Sequence, residues 1–149
     1  PRADQMTPPS ADAANMPRTG ASGLSQGDWF ARLADIGRGH GFFERLGAEQ
    51  MALFVQEGDT LVVSFDRAAR VFSEEPQGLP LGFEAVQKRE WSLLSILSLG
   101  DHWFRSYDLA SFFDRLADEG FFDSFETVIF LGFGPANGHA ACAYMFHPG

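Results

Sequence analysis

The chain has one cysteine, Cys142, in 149 residues. A single thiol excludes an internal disulfide and leaves no Cys-x-x-Cys pair for a structural zinc site. The four histidines, His40, His102, His139 and His147, are scattered, and none stands in a His-Glu-x-x-His spacing. No metal site is expected from them. Basic residues are also few, with 11 Lys and Arg against 20 Asp and Glu and a formal net charge of -9. A chain without a basic stripe lacks the electrostatic footprint of a nucleic-acid binder or of a binder of anionic membranes. No run approaches ~18 apolar residues, so no membrane-spanning helix is expected. The first residues, Pro1 to Ser10, carry no apolar segment of the kind a secretory signal needs. Sparse cysteine and the lack of a signal point to a cytoplasmic protein.

Phenylalanine, by contrast, is abundant, with 16 residues and pairs at 42–43, 112–113 and 121–122. That content predicts an aromatic-rich core, or an apolar surface that a partner covers. The length suits one domain. Residues 1–26 are mostly Pro, Ala, Ser, Asn, Asp and Gly. They cannot bury enough surface to offset the entropy of ordering, so they read as a disordered leader. Residues 27–149 read as the N-terminal part of a single α/β domain.

Asp28 is the expected N-cap of a first helix, with Trp29, Phe30, Leu33 and Ile36 on its apolar face and Gly37, Gly39 and Gly41 ending it. Residues 51–55 and 61–65 read as two strands of a hairpin. Glu57-Gly58-Asp59 is the turn between them, with Gly58 at positive φ. The unbroken apolar run Leu61, Val62 and Val63 suits a strand covered on both faces. Pro76, Gly78, Pro80 and Gly82 mark a long loop, followed by two helical turns over 83–89. A strand over 91–97 leads through a polar and aromatic loop to a helix capped by Asp108 and closed by Gly120. The final strand, 127–131, meets a helix near Pro135. Strands alternating with crossovers predict an α/β fold: a mixed, mainly parallel sheet with flanking helices and one antiparallel edge. The last strand's outer edge is left open, a place where the chain can associate.

In such sheets, ligands bind at the carboxyl ends of the strands. Asp66 directly follows a buried strand and reads as a turn former, or as a binding residue near an oxyanion. His102 and Trp103 lie in the loop after the next strand. Gly132, Gly134, Asn137 and His139 lie where the last strand turns into its helix. Glycines let backbone approach a ligand, and a helix N-terminus favours negative charge. Asp114, Asp118, Glu119 and Asp123 read as a solvated helix surface. Cys142, among alanines, reads as a buried, inert thiol.

Two resemblances reach these residues. Gly132-x-Gly134-x-x-Asn137 resembles the flavin-binding fingerprint of N-hydroxylating monooxygenases, which implies FAD or NAD(P) held through its pyrophosphate. Most of residues 28–149 resemble the N-terminal half of an uncharacterised α-proteobacterial, α/β-hydrolase-like family. The likeness runs through segments 61–65, 79–82, 91–95, 103–105, 113–122 and 132–138. That family is sometimes labelled phosphoadenosine phosphosulfate reductase, but the chain has no Ser-Gly-Gly-x-Asp-Ser loop to match the label. The resemblance implies a three-layer domain of which this chain is an incomplete part. It also implies a nucleophile elbow of the form Gly-x-Ser-x-Gly, in which Gly134 stands at the Ser position. Glycine offers no nucleophile, so the expected function is a hydrolase-like protein with a degenerate elbow. This fragment is then non-catalytic and binds a small molecule or a protein partner. The alternatives are a dinucleotide-binding oxidoreductase and an aromatic-rich interaction module.

Overall fold

A computed structural model describes residues 16–100 and 106–145. Helix α1 spans Gln26–His40, and strands β1, β2 and β3 span Gly41–Leu46, Gln50–Val55 and Thr60–Arg67. Helices α2 (Ala68–Glu74) and α3 (Phe83–Arg89) lead to strand β4 (Ser92–Ser98). Helix α4 (Tyr107–Asp118), a short 3-10 turn, strand β5 (Thr127–Gly132) and helix α5 (Gly134–Met145) follow. The protein is α/β, with a five-stranded sheet in the order β1-β2-β4-β3-β5.

The pairings β1–β2 and β2–β4 are antiparallel, and β4–β3 and β3–β5 are parallel. Only β2 therefore runs against the other four strands. The sheet is mixed, as the sequence implies, but its pairings divide evenly, and the reversed strand is internal rather than at an edge. Alternate residues feed two cores. Met51, Leu53, Val62 and Leu93 face one side, where α1, α2 and α3 pack. Ala52, Phe54, Leu61, Val63 and Phe65 face the other, where α4 and α5 pack. Every residue of β2 and β4 is buried. The unbroken apolar run of β3 does mark a strand covered on both faces.

The expected hairpin of 51–55 with 61–65 does not form. Strand β4 lies between those two strands, with β2 on one side and β3 on the other. Ser92, at the start of β4, holds the connection open. Its Oγ accepts from the Glu57 N–H at 2.8 Å and donates to the Gly58 carbonyl at 3.0 Å. Gly58 is not at positive φ. The glycine is needed instead because a Cβ there would strike the Glu90 carbonyl. The actual hairpin joins β2 to β1, which the sequence leaves as an unassigned connector.

Caps are shifted by two or three residues. Ser25 Oγ accepts from the Asp28 N–H at 3.2 Å, and Ser106 Oγ accepts from the Leu109 N–H at 3.1 Å. Asp28 and Asp108 lie inside the first turns, where their charge favours the helix N-terminus. Gly37 and Gly39 lie within α1 rather than ending it. Gly120 does close α4: the Phe121 N–H reaches back to the Leu116 carbonyl at 2.9 Å. Residues 16–25, grouped with the leader by composition, pack on the first core: Met16 is buried, and the Ala21 N–H donates to the Phe72 carbonyl at 3.0 Å. Among the described residues, no helix is long and apolar enough to cross a membrane.

Candidate functional site

Strands β3, β4 and β5 point their carboxyl ends the same way. The helix after β3 packs on one face, and the helices after β4 and β5 pack on the other. Such a divergence opens a crevice at the strand ends. Asp66 is the penultimate residue of β3, not a turn, and it is wholly buried. Its carboxylate accepts from Arg70 Nε at 2.8 and 2.9 Å, from Arg70 Nη2 at 2.5 Å and from the Arg67 N–H at 2.7 Å. Arg70, one turn on in α2, also donates through Nη1 to Glu75 at 2.8 Å.

Burial pushes the Asp66 carboxyl up from its ordinary range, against the pull of the Arg70 fork and the Arg67 N–H. The hydrogen bond to Asp66 pushes Arg70 up, so the guanidinium stays charged. Arg70 also lies over the Phe133 ring, 4.1 Å from its centroid. The Phe133 N–H donates to the Phe65 carbonyl at 3.3 Å. The end of β3, the first turn of α2 and the corner before α5 are thus one connected unit.

The corner itself is built by two glycines with different tasks. At Gly132 an added Cβ would fall on the Asn137 backbone carbonyl. Only glycine lets α5 come this close to the strand. Gly134 has φ +85 and, among the described residues, nothing within 4 Å of an added Cβ. It turns the chain sharply at the head of α5 and leaves open space above. Asn137 is buried, and its Nδ2 donates to the Phe133 carbonyl, which braces the turn from beneath. Asn137 Oδ1 is buried without a hydrogen-bond partner among the described residues. His139 is exposed on α5. Farther along, Ala140 and Ala141 are buried, and Tyr144 stacks on Phe113 at 4.5 Å and Phe65 at 5.6 Å. Cys142 is exposed, against the expectation of a buried thiol, because the sheet-facing side of α5 is taken by Asn137, Ala140 and Ala141.

Of the positions named from sequence, the structure brings Asp66, Gly132, Gly134 and Asn137 to the carboxyl ends of β3 and β5. His102 and Trp103 lie outside the described residues. Arg70, Glu75 and Phe133 were missed. Only the four-residue spacing from Asp66 to Arg70 hinted at them. The acidic side chains of α4 and its C-terminal turn are exposed, as expected. Among the described residues, no group of three His, Cys, Asp or Glu could hold a metal ion. A depression of about 1190 Å³ is found elsewhere. It lies between the 75–89 segment and Leu131, and none of the candidate site residues named from the sequence lines it. Compared with protein-family models, curated proteins and solved structures, the chain matches none.

Proposed function

We propose that the chain is an α/β-hydrolase-like protein whose elbow lacks a nucleophile and serves to bind a small molecule. The observation that carries this reading is Gly134. It sits at positive φ where strand turns into helix, with free space where a serine side chain would stand in a hydrolase. Gly132 two residues earlier permits the close strand–helix approach that an elbow requires. Backbone N–H groups at the head of α5 favour an oxygen that carries negative charge. Without a hydroxyl or thiol at the corner, a bound ester or acid is held but not attacked.

A dinucleotide at the same corner is the weaker reading. In that fingerprint the third small residue lets the helix pack on the strand. Here the close approach is made at Gly132, and the third position holds Asn137, whose Nδ2 is committed to the Phe133 carbonyl. The test is amide NMR of the chain titrated separately with butyrate, p-nitrophenyl butyrate, FAD and NADH. Shifts confined to residues 132–139 with butyrate or the ester, and no p-nitrophenolate release, are the expected result. Shifts with FAD or NADH alone would favour the oxidoreductase reading. Silence of these amides to all four probes would overturn both.

A further inference from the structure

A second depression, of about 360 Å³, lies between α1 and α3, where the end of β2 meets the amino end of β4. No residue of β3 or β5 lines it, so it stands apart from the elbow at the carboxyl ends of those strands. Val55, Phe83 and Val86, all buried, and Ile36 and Trp91, half-buried, make its lining apolar. A concave apolar lining with a few polar groups is the make-up of a small-molecule site. Arg32, Ile36 and His40 follow at four-residue steps on α1, hence along one face, and span about 12 Å. Arg32 takes one end, its Nη1 donating to the Gln77 carbonyl at 2.7 Å. Arg38, Arg70 and Arg115 each have a carboxylate partner, whereas Arg32 has none among the described residues. Glu57 takes the other end, since the neighbouring Gln56 N–H donates to the His40 carbonyl at 2.9 Å. Along α1 that end is farther from Arg32 than a Debye length of ~8 Å.

We propose that this depression binds a free medium-chain carboxylic acid, with its carboxylate on Arg32 and its alkyl tail laid past Ile36 and Val86 toward Trp91. In a chain of net charge -9, an arginine left to a neutral carbonyl beside an apolar hollow is a receptor for an acid. Glu57 fixes the orientation, because its charge repels a carboxylate from the His40 end. A straight tail matches a lining that runs along two turns of α1 with no charge at its middle. A free amino acid fits less well, since its two charges sit on neighbouring atoms and cannot reach Arg32 and Glu57 together.

Calorimetric and amide-NMR titrations of the chain with octanoate, octanol and octylamine test this. Octanoate is expected to bind with saturable shifts in residues 32–40 and 83–91. Octanol should bind about tenfold more weakly, for want of a charge-assisted hydrogen bond, and octylamine more weakly still. Each methylene added from butyrate to octanoate should tighten binding roughly three- to fourfold. Arg32→Gln should bring octanoate down to the level of octanol. Octanoate that binds no better than octanol, or equally well to Arg32→Gln, overturns the proposal. So does silence of the 32–40 and 83–91 amides, whatever moves elsewhere. Should Arg32→Gln unfold, the ranking of the three ligands and the positions of the shifts in the parent decide. Butyrate shifts at 132–139 without octanoate shifts here would keep the elbow reading and sink this one.

Discussion

Replacing Asp66 with alanine strands the Arg70 guanidinium at the end of β3. Arg70 is 10 % exposed, and the carboxylate it loses is fully buried. Breaking one side of a buried pair costs ~3–5 kcal/mol, because the remaining charge is neither solvated nor paired. Glu75 still binds Nη1 at 2.8 Å, so the lower end of that range applies. A domain's whole stability is ~5–15 kcal/mol, so the loss is a large share of it. With a urea slope of ~1–3 kcal/mol per molar, a loss of ~3 kcal/mol lowers the midpoint by roughly 1–3 M. Urea unfolding followed by far-UV circular dichroism measures it. Glu44→Ala is the reference, since it breaks a pair of the same chemistry at side chains 49 % and 38 % exposed. Exposed pairs contribute under ~1 kcal/mol. The double variant Asp66→Leu/Arg70→Leu removes both charges and is expected to be more stable than Asp66→Ala. The reasoning fails if Asp66→Ala shifts the midpoint no more than Glu44→Ala, or if the double variant is the weakest of the three.

Three further outcomes follow from the corner and its helix. Gly132→Ala forces a methyl onto the Asn137 carbonyl and is expected to cost ~1–3 kcal/mol, with amide shifts spreading through 137–138. Gly134→Ala meets no neighbour among the described residues, so its cost is only the positive-φ strain of ~1–2 kcal/mol, and shifts confined to residues 133–134 check it. Burial raises the Tyr144 phenol above its usual value of 10.0, so the folded chain holds that proton more tightly than the unfolded one. Stability is then intact below the unfolded phenol's pKa and falls as pH rises past it. Urea midpoints taken from about pH 9 to about pH 11 should drop more steeply in the parent than in Tyr144→Phe, and equal slopes would refute the assignment.

What the sequence reveals about the fold depends on whether the signal is local. The 61–63 run, the 109–116 helical face and the Gly120 stop are each set by neighbours in the chain, and each appears as expected. The 51–65 hairpin fails for the converse reason. Its turn residues are compatible with a reversal, but the pairing is decided by β4, thirty residues on, whose seven residues are all buried. A strand with no exposed residue must sit between two others, and β2 and β3 are the ones available. Helix α2 is hidden in the same way. Residues 68–74 are too short a stretch to show a helical period, and Ala68, Val71 and Phe72 become a core face only once β3 delivers them to the sheet.

The candidate site divides along the same line. The backbone demands of the corner are written in residue type, because close approach at Gly132 and positive φ at Gly134 exclude most side chains. The charged half is assembled from three elements, and no one of them signals it. Asp66 ends a strand, Arg70 lies a turn into a helix, and Phe133 arrives from the far side of the sheet's crossover, over sixty residues later. Yet the two halves are mechanically joined. Arg70 holds the ring of Phe133, and Phe133 is the residue immediately before Gly134. If the elbow binds a ligand, loss of Asp66 should therefore weaken that binding through the freed Phe133, even though Asp66 is buried away from the open space above Gly134. A variant that keeps the fold, such as Asp66→Asn, should show that loss in the butyrate titration, with the amide of Phe133 shifted before any ligand is added. An unmoved Phe133 amide together with unchanged binding would mean that the ion pair anchors only α2 to β3.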